Sequence, residues 1–473
     1  MNQSWYKLIL LFCLSAGSWL HAQQTATQMS LEDAINYALT ETTAMKDAQL
    51  NIADADQQII ERRAFGLPQL SASASFQRYL EVPVQPLPDA FGIFDVYGQA
   101  LGRDLFPLLE EDTQNALNQF SSGASDGGNS DGVSFFLQNN FTAAINLDAM
   151  IFDGSFFVGL QAARAFKIYT QQELSVKRRE VENAVVDAYL PVLLIQENIE
   201  LLDKNIDNLS KLFFETKELY KAGFSEQLDI DRQELSLANL RTERENLVRQ
   251  KEVALSALKF TINFPVDEPL VITDDLDAMV VDAAESDLVD NYDINTRPEI
   301  MLLDKAMELG ELNVTLNRAN YLPTLRLFGA YQQQYQGDNL QDGFWAPTAF
   351  LGLNLNVPLF DGLEREAKLQ RAKLQLEQTR NQKQNIEQAI NLEVKNARTN
   401  YISARRRYES QQKNVALAER IYNTTQIKYR EGVGSSLEVT QAEQSLYTSQ
   451  TNYMQGLFDL LVAKSDLDQA LGK

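Results

Sequence analysis

A seven-residue pattern with alternating steps of four and three occurs twice in this chain, 209 positions apart, and each occurrence ends in the same turn. The later copy reads Ile390, Val394, Ala397, Tyr401, Ala404, Tyr408, Gln411, Val415, Ala418, Tyr422, Thr425, Tyr429. The earlier one reads Val181, Val185, Ala188, Val192, Ile195, Ile199, Leu202, Ile206, Leu209, Phe213, Thr216, Tyr220. Nearly every position is apolar in both, so each stripe is the seam of a helix that faces a partner helix. Both then turn through Tyr-x-x-Gly, at Tyr220–Gly223 and Tyr429–Gly432, into a second helical run. A fixed internal period marks a repeated supersecondary unit. The chain is predicted to be a duplicated pair of long helical hairpins.

Length limits what such hairpins can be. From Leu363 to Glu431 there are 69 residues without Gly or Pro. At a rise of ~1.5 Å per residue this is a helix of ~100 Å, too long to wrap around a compact core. The first copy, Leu160 to Ala222, is interrupted only by Pro191, which is expected to kink it about a turn earlier.

The first 22 residues carry one cation, Lys7, an apolar run from Leu8 to Ala16 and small or neutral residues up to Ala22. This reads as a secretory signal peptide cleaved after residue 22. Cleavage removes Cys13 and His21, the only cysteine and the only histidine. Disulfides, Cys/His metal centres, histidine triads and thiol nucleophiles then have no residues to build them, so no enzyme activity, cofactor or metal is expected. The formal net charge of −23 falls to about −24 once Lys7 is lost, which makes nucleic acid and anionic membrane surfaces poor partners. No stretch of the remaining chain is apolar enough for a membrane-spanning helix. Any membrane contact has to be made by strands.

Along the chain, a helix is expected from Ser30 to about Phe65, stopped by Gly66-Leu67-Pro68. Strands follow at about 69–79 and 139–151, where apolar and polar residues alternate (Leu70, Ala72, Ala74, Phe76; Phe141, Ala143, Ile145, Leu147). Between them, 80–138 is a Gly/Ser/Pro-rich insert. Phe152-Asp153-Gly154 leads into the first hairpin, with its tip at about 220–228, and the first repeat ends near 265. An acidic segment, 266–297, joins it to a second repeat over 298–473, which starts at Pro298 and stops its first helix at Leu322-Pro323. Strands are expected at about 324–335 and 348–359 (Leu351, Leu353, Leu355, Val357), then Phe360-Asp361-Gly362 and the second hairpin, with its tip at about 429–437.

Four strands of about ten residues, each apolar on one face, have the length that crosses an outer membrane. Alone, four strands would leave two edges with unpaired backbone groups in hydrocarbon, and the smallest membrane barrels have about eight strands. The chain is therefore expected to pool strands with copies of itself, two giving eight and three giving twelve.

This order of elements, duplicated behind a leader, resembles the TolC family of outer-membrane efflux proteins over essentially the whole mature chain. The residues that carry the resemblance are Tyr220-Lys221-Ala222-Gly223 with Leu228-Asp229-Ile230, the run Tyr429 to Val439, Asn295-Thr296-Arg297-Pro298-Glu299, and the two Phe-Asp-Gly turns. The resemblance implies a mainly α fold with a small β part: hairpins forming a trimeric α-barrel, and four transmembrane strands per chain in a shared 12-stranded β-barrel. It implies a homotrimer in outer-membrane lipid, whose periplasmic end docks an adaptor (membrane fusion protein) and an inner-membrane transporter. It further implies that the tips, Gly223, Phe224 and Leu228 with Gly432, Val433, Gly434 and Leu437, touch the adaptor. Around the channel entrance it implies roles for Asp229, Glu438, Gln441 and Tyr429. Glu438 matches the first of two acidic ring positions; Gln441 stands at the second and Gly434 at a gating arginine, so the gate's bonding must differ.

Each of these residues also has a plain structural reading. Gly223 and Gly432 are left-handed residues that end helices, Ser225 and Ser435 cap the next ones, and Asp229 and Glu438 are helix-start acids. The tyrosines at 401, 408, 422 and 429 read as coiled-coil packing. The function expected is the exit duct of a tripartite efflux pump, a passive tube. The rivals are the duct of a type I protein secretion system and, from another class, a periplasmic or surface coiled coil without a pore.

Overall fold

The computed structural model describes residues 27–82, 111, 113–115, 137–280, 292–339 and 341–473. The expected signal peptide, most of the 80–138 insert and positions 281–291 of the acidic segment lie outside these residues. The described elements are β1 (Thr27–Met29), α1 (Leu31–Glu41), α2 (Thr43–Ala64), β2 (Gln69–Arg78), β3 (Asn139–Phe152), α3 (Gly154–Lys221), α4 (Gln227–Thr261), β4 (Leu270–Ile272), α5 (Pro298–Ala319), β5 (Thr324–Gly337), β6 (Gly343–Asn356), α6 (Glu364–Arg430) and α7 (Ser436–Leu471). They form two compact units that cut across the repeats: a strand unit over 61–157 and 318–363, and a helical unit made of the rest.

The strand unit is one antiparallel sheet in the order β2-β3-β5-β6. Its register lines up the alternation read from the sequence across all four strands. Leu70, Leu147, Gly329 and Leu351 stand in one row, and Phe76, Phe141, Tyr335 and Trp345 in another on the same face. The other face carries Ser71, Asn146, Ala330 and Phe350, then Ser73, Ala144, Gln332 and Thr348. A one-residue slip in any strand would turn its whole apolar set over, so this agreement fixes the faces. The fourth strand starts earlier than expected, at Gly343, and includes Pro347. Proline reads as a strand breaker, but β6 is an edge strand within the chain, the place where sheets admit proline.

In the helical unit, α3 runs through Pro191 as one helix of 68 residues. Leu190, Val192 and Leu193 beside the proline are buried in the largest core cluster, and this packing carries the helix across the lost hydrogen bond. The same core holds Met29 of β1, Ala34 and Ala38 of α1, Leu258 of α4, Leu270 and Ile272 of β4, and Leu457 of α7. A parallel pairing of β1 with β4 joins the chain's beginning to the acidic segment. Three-residue strands give no period to read, so this pairing was not visible in the sequence.

The first helix is two. Ser30 and Asp33 form the expected capping box, but the chain leaves helical geometry at Thr42 (φ −65°, ψ 141°). Thr42 is buried and its hydroxyl donates to the Ala38 carbonyl at 2.6 Å, while the freed carbonyl of Glu41 accepts from Asn263 at 2.9 Å. The two Phe-Asp-Gly turns also differ. Asp153 caps α3 directly, its Oδ1 accepting from the Ser155 amide at 2.9 Å and hydroxyl at 2.6 Å. In the second copy Gly362 and Leu363 both take positive φ (65° and 71°) and α6 begins only at Glu364.

Arg297, of the Asn-Thr-Arg-Pro-Glu run, is buried and acts on another element. Its Nη1 donates to the carbonyls of Gln469 (2.6 Å) and Ala470 (2.7 Å), and it pairs with Glu299 at 2.9 Å. A cation there satisfies the last carbonyls of α7 and the negative end of its dipole.

Candidate functional site

Both hairpin tips close in the same way. After α3, Gly223 takes φ +82°, its amide donates to the Tyr220 carbonyl at 2.9 Å, and the Phe224 amide reaches back to Leu219 at 2.9 Å. After α6, Gly432 takes φ +73°, its amide donates to Tyr429 at 3.1 Å and that of Val433 to Lys428 at 3.0 Å. These paired bonds, six-to-one and five-to-two, end a helix on a left-handed residue, which glycine adopts without a Cβ penalty. Gly434 serves differently. Its φ is not positive, and a Cβ there would lie 3.1 Å from the Tyr429 nitrogen and 3.2 Å from the Lys428 carbonyl carbon. The close approach is to its own helix end.

The next helices start with caps. Ser435 caps α7 as expected, its hydroxyl accepting from the Glu438 amide at 3.2 Å. On the other tip Glu226, not Ser225, is the cap residue of α4. The Ser225 hydroxyl instead donates to Asp229 at 3.0 Å, and the Glu226 amide donates to the same carboxylate oxygen at 3.2 Å. Asp229, with Arg232 at 3.8 Å, is thus engaged in holding its own turn. Glu438 is exposed and its carboxylate has no partner among the described residues; Gln441, nearly one turn on, is exposed too.

The tips lie side by side. Leu209, Leu212, Leu237, Ala418, Tyr422, Val439, Ala442 and Leu446, drawn from α3, α4, α6 and α7, form one cluster behind them. Two polar contacts join the hairpins closer to the ends. The Tyr429 hydroxyl meets the buried Thr216 hydroxyl at 3.3 Å, and Thr216 also accepts from Gln233 at 2.9 Å. Arg430 grips Glu215 through two bonds of 3.0 and 3.1 Å. Sequence reading placed Tyr429 here but missed Arg430 and Glu215, because the bond joins two helices 215 positions apart and neither residue lies on a seam. Beyond them the apex exposes Phe224 (82%) and Val433 (78%), with Leu228 and Leu437 about half exposed. Together these four side chains form an exposed apolar apex.

The strand unit is the second part of the site. Its apolar face is exposed, with Leu70, Leu351, Leu353 and Leu355 all more than half accessible. From the row of Leu325 and Leu355 to the row of Tyr335 and Trp345 the strands advance ten residues, ~34 Å along the chain. Tilted as membrane strands are, this covers a band of ~25 Å, closed at one end by the aromatic row. The opposite face carries amides, hydroxyls and the Arg326–Asp148 ion pair at 3.3 Å.

Known proteins share this architecture. Residues 294–473 match the family model described as outer membrane efflux protein. Among curated relatives, the pyoverdine export outer membrane protein OpmQ of Pseudomonas aeruginosa is 22% identical over 338 residues, covering 71% of this chain and 70% of its own. The alkaline protease secretion protein AprF of the same organism is 21% identical over 329 residues, covering 69% and 68%. The solved structure of the MtrE outer membrane channel of Neisseria gonorrhoeae superposes with a TM-score of 0.68 at 19% identity, over 93% of this chain and 88% of that one. Helical hairpins closed by twin glycine turns and a four-stranded sheet with an exposed apolar face thus have the fold of outer-membrane channels, and the second half of the chain, residues 294–473, matches the outer membrane efflux protein family.

Proposed function

We propose that this chain is the channel subunit through which an efflux or secretion assembly empties across the outer membrane. The observation that carries this reading is the sheet: one face apolar across four strands, the other mixed, with hydroxyls, amides and an ion pair beside Phe328, Phe344 and Phe350, and neither β2 nor β6 paired on its outer edge within the chain. In hydrocarbon such edges must be paired, so the strands belong to a barrel shared between copies. Three copies give twelve strands. Exposed apolar side chains on the helices, Val253 and Phe260 on α4 and Leu392, Leu417 and Ile421 on α6, support the same self-association.

The tips have a separate role in this reading. Phe224, Leu228, Val433 and Leu437, set on turns held by Gly223, Gly432 and Gly434, dock a periplasmic adaptor linked to an inner-membrane transporter. Glu438 and Gln441 line the entrance, where three Glu438 carboxylates without internal partners favour cations. Asp229 and Tyr429 act on it indirectly, by fixing the turn and the neighbouring hairpin. Transport is passive, and the family relatives span a small-molecule exporter and a protease secretion protein. The test is fractionation followed by planar-bilayer recording: the protein is expected in the outer-membrane fraction and, once purified, to form cation-preferring pores. Extraction without detergent, or bilayers that stay silent, would overturn the reading.

A further inference from the structure

A cavity of about 420 Å³ lies behind the tips, walled by α3, α4, α6 and α7. That volume is in the range of small-molecule sites. Leu235 and Leu240 of α4 and the rings of Tyr422 and Tyr447 supply apolar and aromatic wall, with Asn208 and Asn239 supplying amides. One carboxylate opens into it, Glu443 of α7. Glu443 makes no hydrogen bond and no ion pair among the described residues, and burial pushes its carboxyl up to about 7. An unpaired carboxylate in such a wall is costly to ionise, and a cation beside it removes that cost.

The charged and titratable groups around the cavity leave this place open. On α4, Arg232 also lines the cavity and pairs with Asp229 at 3.8 Å. On α6, burial pushes the Tyr422 hydroxyl up to about 12, first by desolvation and then through Glu443 itself, with Arg430 opposing and Glu215 adding. On α7, Tyr447 is raised by burial, with a smaller contribution from Glu243. The α3 wall presents only the amides of Asn205 and Asn208.

We propose that this cavity binds a small organic ammonium ion with an aromatic or apolar body, the ammonium on Glu443 and the body between Tyr422, Tyr447 and Leu235. Carboxylate and ring faces both attract such a cation, and an inorganic ion would leave the apolar wall uncovered. A ligand there touches both hairpins, so its occupancy is coupled to how they pack behind the tips. The site goes beyond the duct reading and does not depend on it.

The probe is 1-naphthylmethylamine, with 1-naphthalenemethanol as its uncharged counterpart, titrated calorimetrically into the full chain in lipid nanodiscs, with empty nanodiscs as the background. The amine is expected to bind at least ~10-fold tighter than the alcohol at about pH 8, and to lose about that factor by about pH 5.5, as Glu443 takes up a proton. Glu443→Gln should bring amine and alcohol within about twofold of each other. Asn239→Trp, which fills the cavity from α4 and keeps the carboxylate, should abolish both. Equal affinities in the unaltered protein, or an amine preference that survives Glu443→Gln, would overturn the proposal. So would the absence of binding, because Arg232 or a neighbouring copy would then occupy the place.

Discussion

At the scale of single residues, the tips separate what holds the turn from what is left over for function. Asp229 is used up by its own cap, whereas Glu438 lends only its backbone amide and keeps its carboxylate free. Glu438→Gln is therefore expected to leave assembly and melting unchanged and to reduce the cation preference of the pore, read as a shift of reversal potential in a salt gradient. An unshifted potential would return Glu438 to the role of a helix-start acid. Gly434 is a poor place to probe docking, since a side chain there would strike its own helix end. Val433→Asp is cleaner: the position is 78% exposed and leaves the glycine turn alone. It should abolish export in a susceptibility assay while pores in bilayers stay normal; export at the unaltered level would show that the partner binds elsewhere. The Arg430–Glu215 bond is about half exposed, and exposed pairs of this kind are worth roughly 0–1 kcal/mol. Arg430→Ala should accordingly raise the resting open probability of the pore by no more than about fivefold per subunit.

At the scale of elements, period was legible and interruption was not. The 4,3 stripe marked both long helices, and Tyr401 and Tyr422 are buried in their seams as packing residues. Alternation marked all four strands and, with the register, their faces. The breaks followed tertiary contacts instead. The first helix ends at Thr42, where Asn263, 222 positions from Glu41, takes up the freed carbonyl. The polar half of the tip site stayed hidden for the same reason, since Glu215 and Arg430 meet only once the hairpins stand side by side. The strand faces make a direct prediction. Lys at Leu351 or Leu353 puts a cation on the lipid side, at a cost of roughly 2–4 kcal/mol near the midplane, and should lower the yield of inserted, protease-resistant protein. The matched control on the other face is Thr348→Lys, opposite Gln332; Asn354 stands opposite Arg326, where a second cation would add repulsion of its own. Equal losses at both sets of positions would mean that the faces are exchanged or that the sheet does not meet lipid.

At the scale of the whole molecule, closure of the sheet decides the assembly. A sheet that ends in β2 on one side and β6 on the other offers two different edges, so copies join head to tail, and a head-to-tail contact gives either a ring or an open filament. A membrane barrel has to be the ring, because any edge left open exposes backbone groups to hydrocarbon. Twelve strands from three copies close at a size known for outer-membrane barrels, and eight from two copies would also close, so strand arithmetic alone does not choose. The resemblance to the TolC family favours three. Native mass measurement of detergent-solubilised protein is expected to give three chains, and a stable monomer would overturn the barrel and the duct together. Edge pairing can be tested separately. Cys13 is the only cysteine, so a cysteine at Thr348 on β6 with a second on β2, stepped through Ser71, Ser73, Ser75 and Gln77 because a closing barrel staggers its strands, makes a double variant that reports on those edges with little background. A short thiol cross-linker should convert the double variant into covalent dimers and trimers and nothing larger, while the same cysteines at Ala144 and Gln332, on the central strands, should give no cross-links between chains. Ladders running past three would indicate an open filament, and a ladder that stops at two would make the barrel eight-stranded.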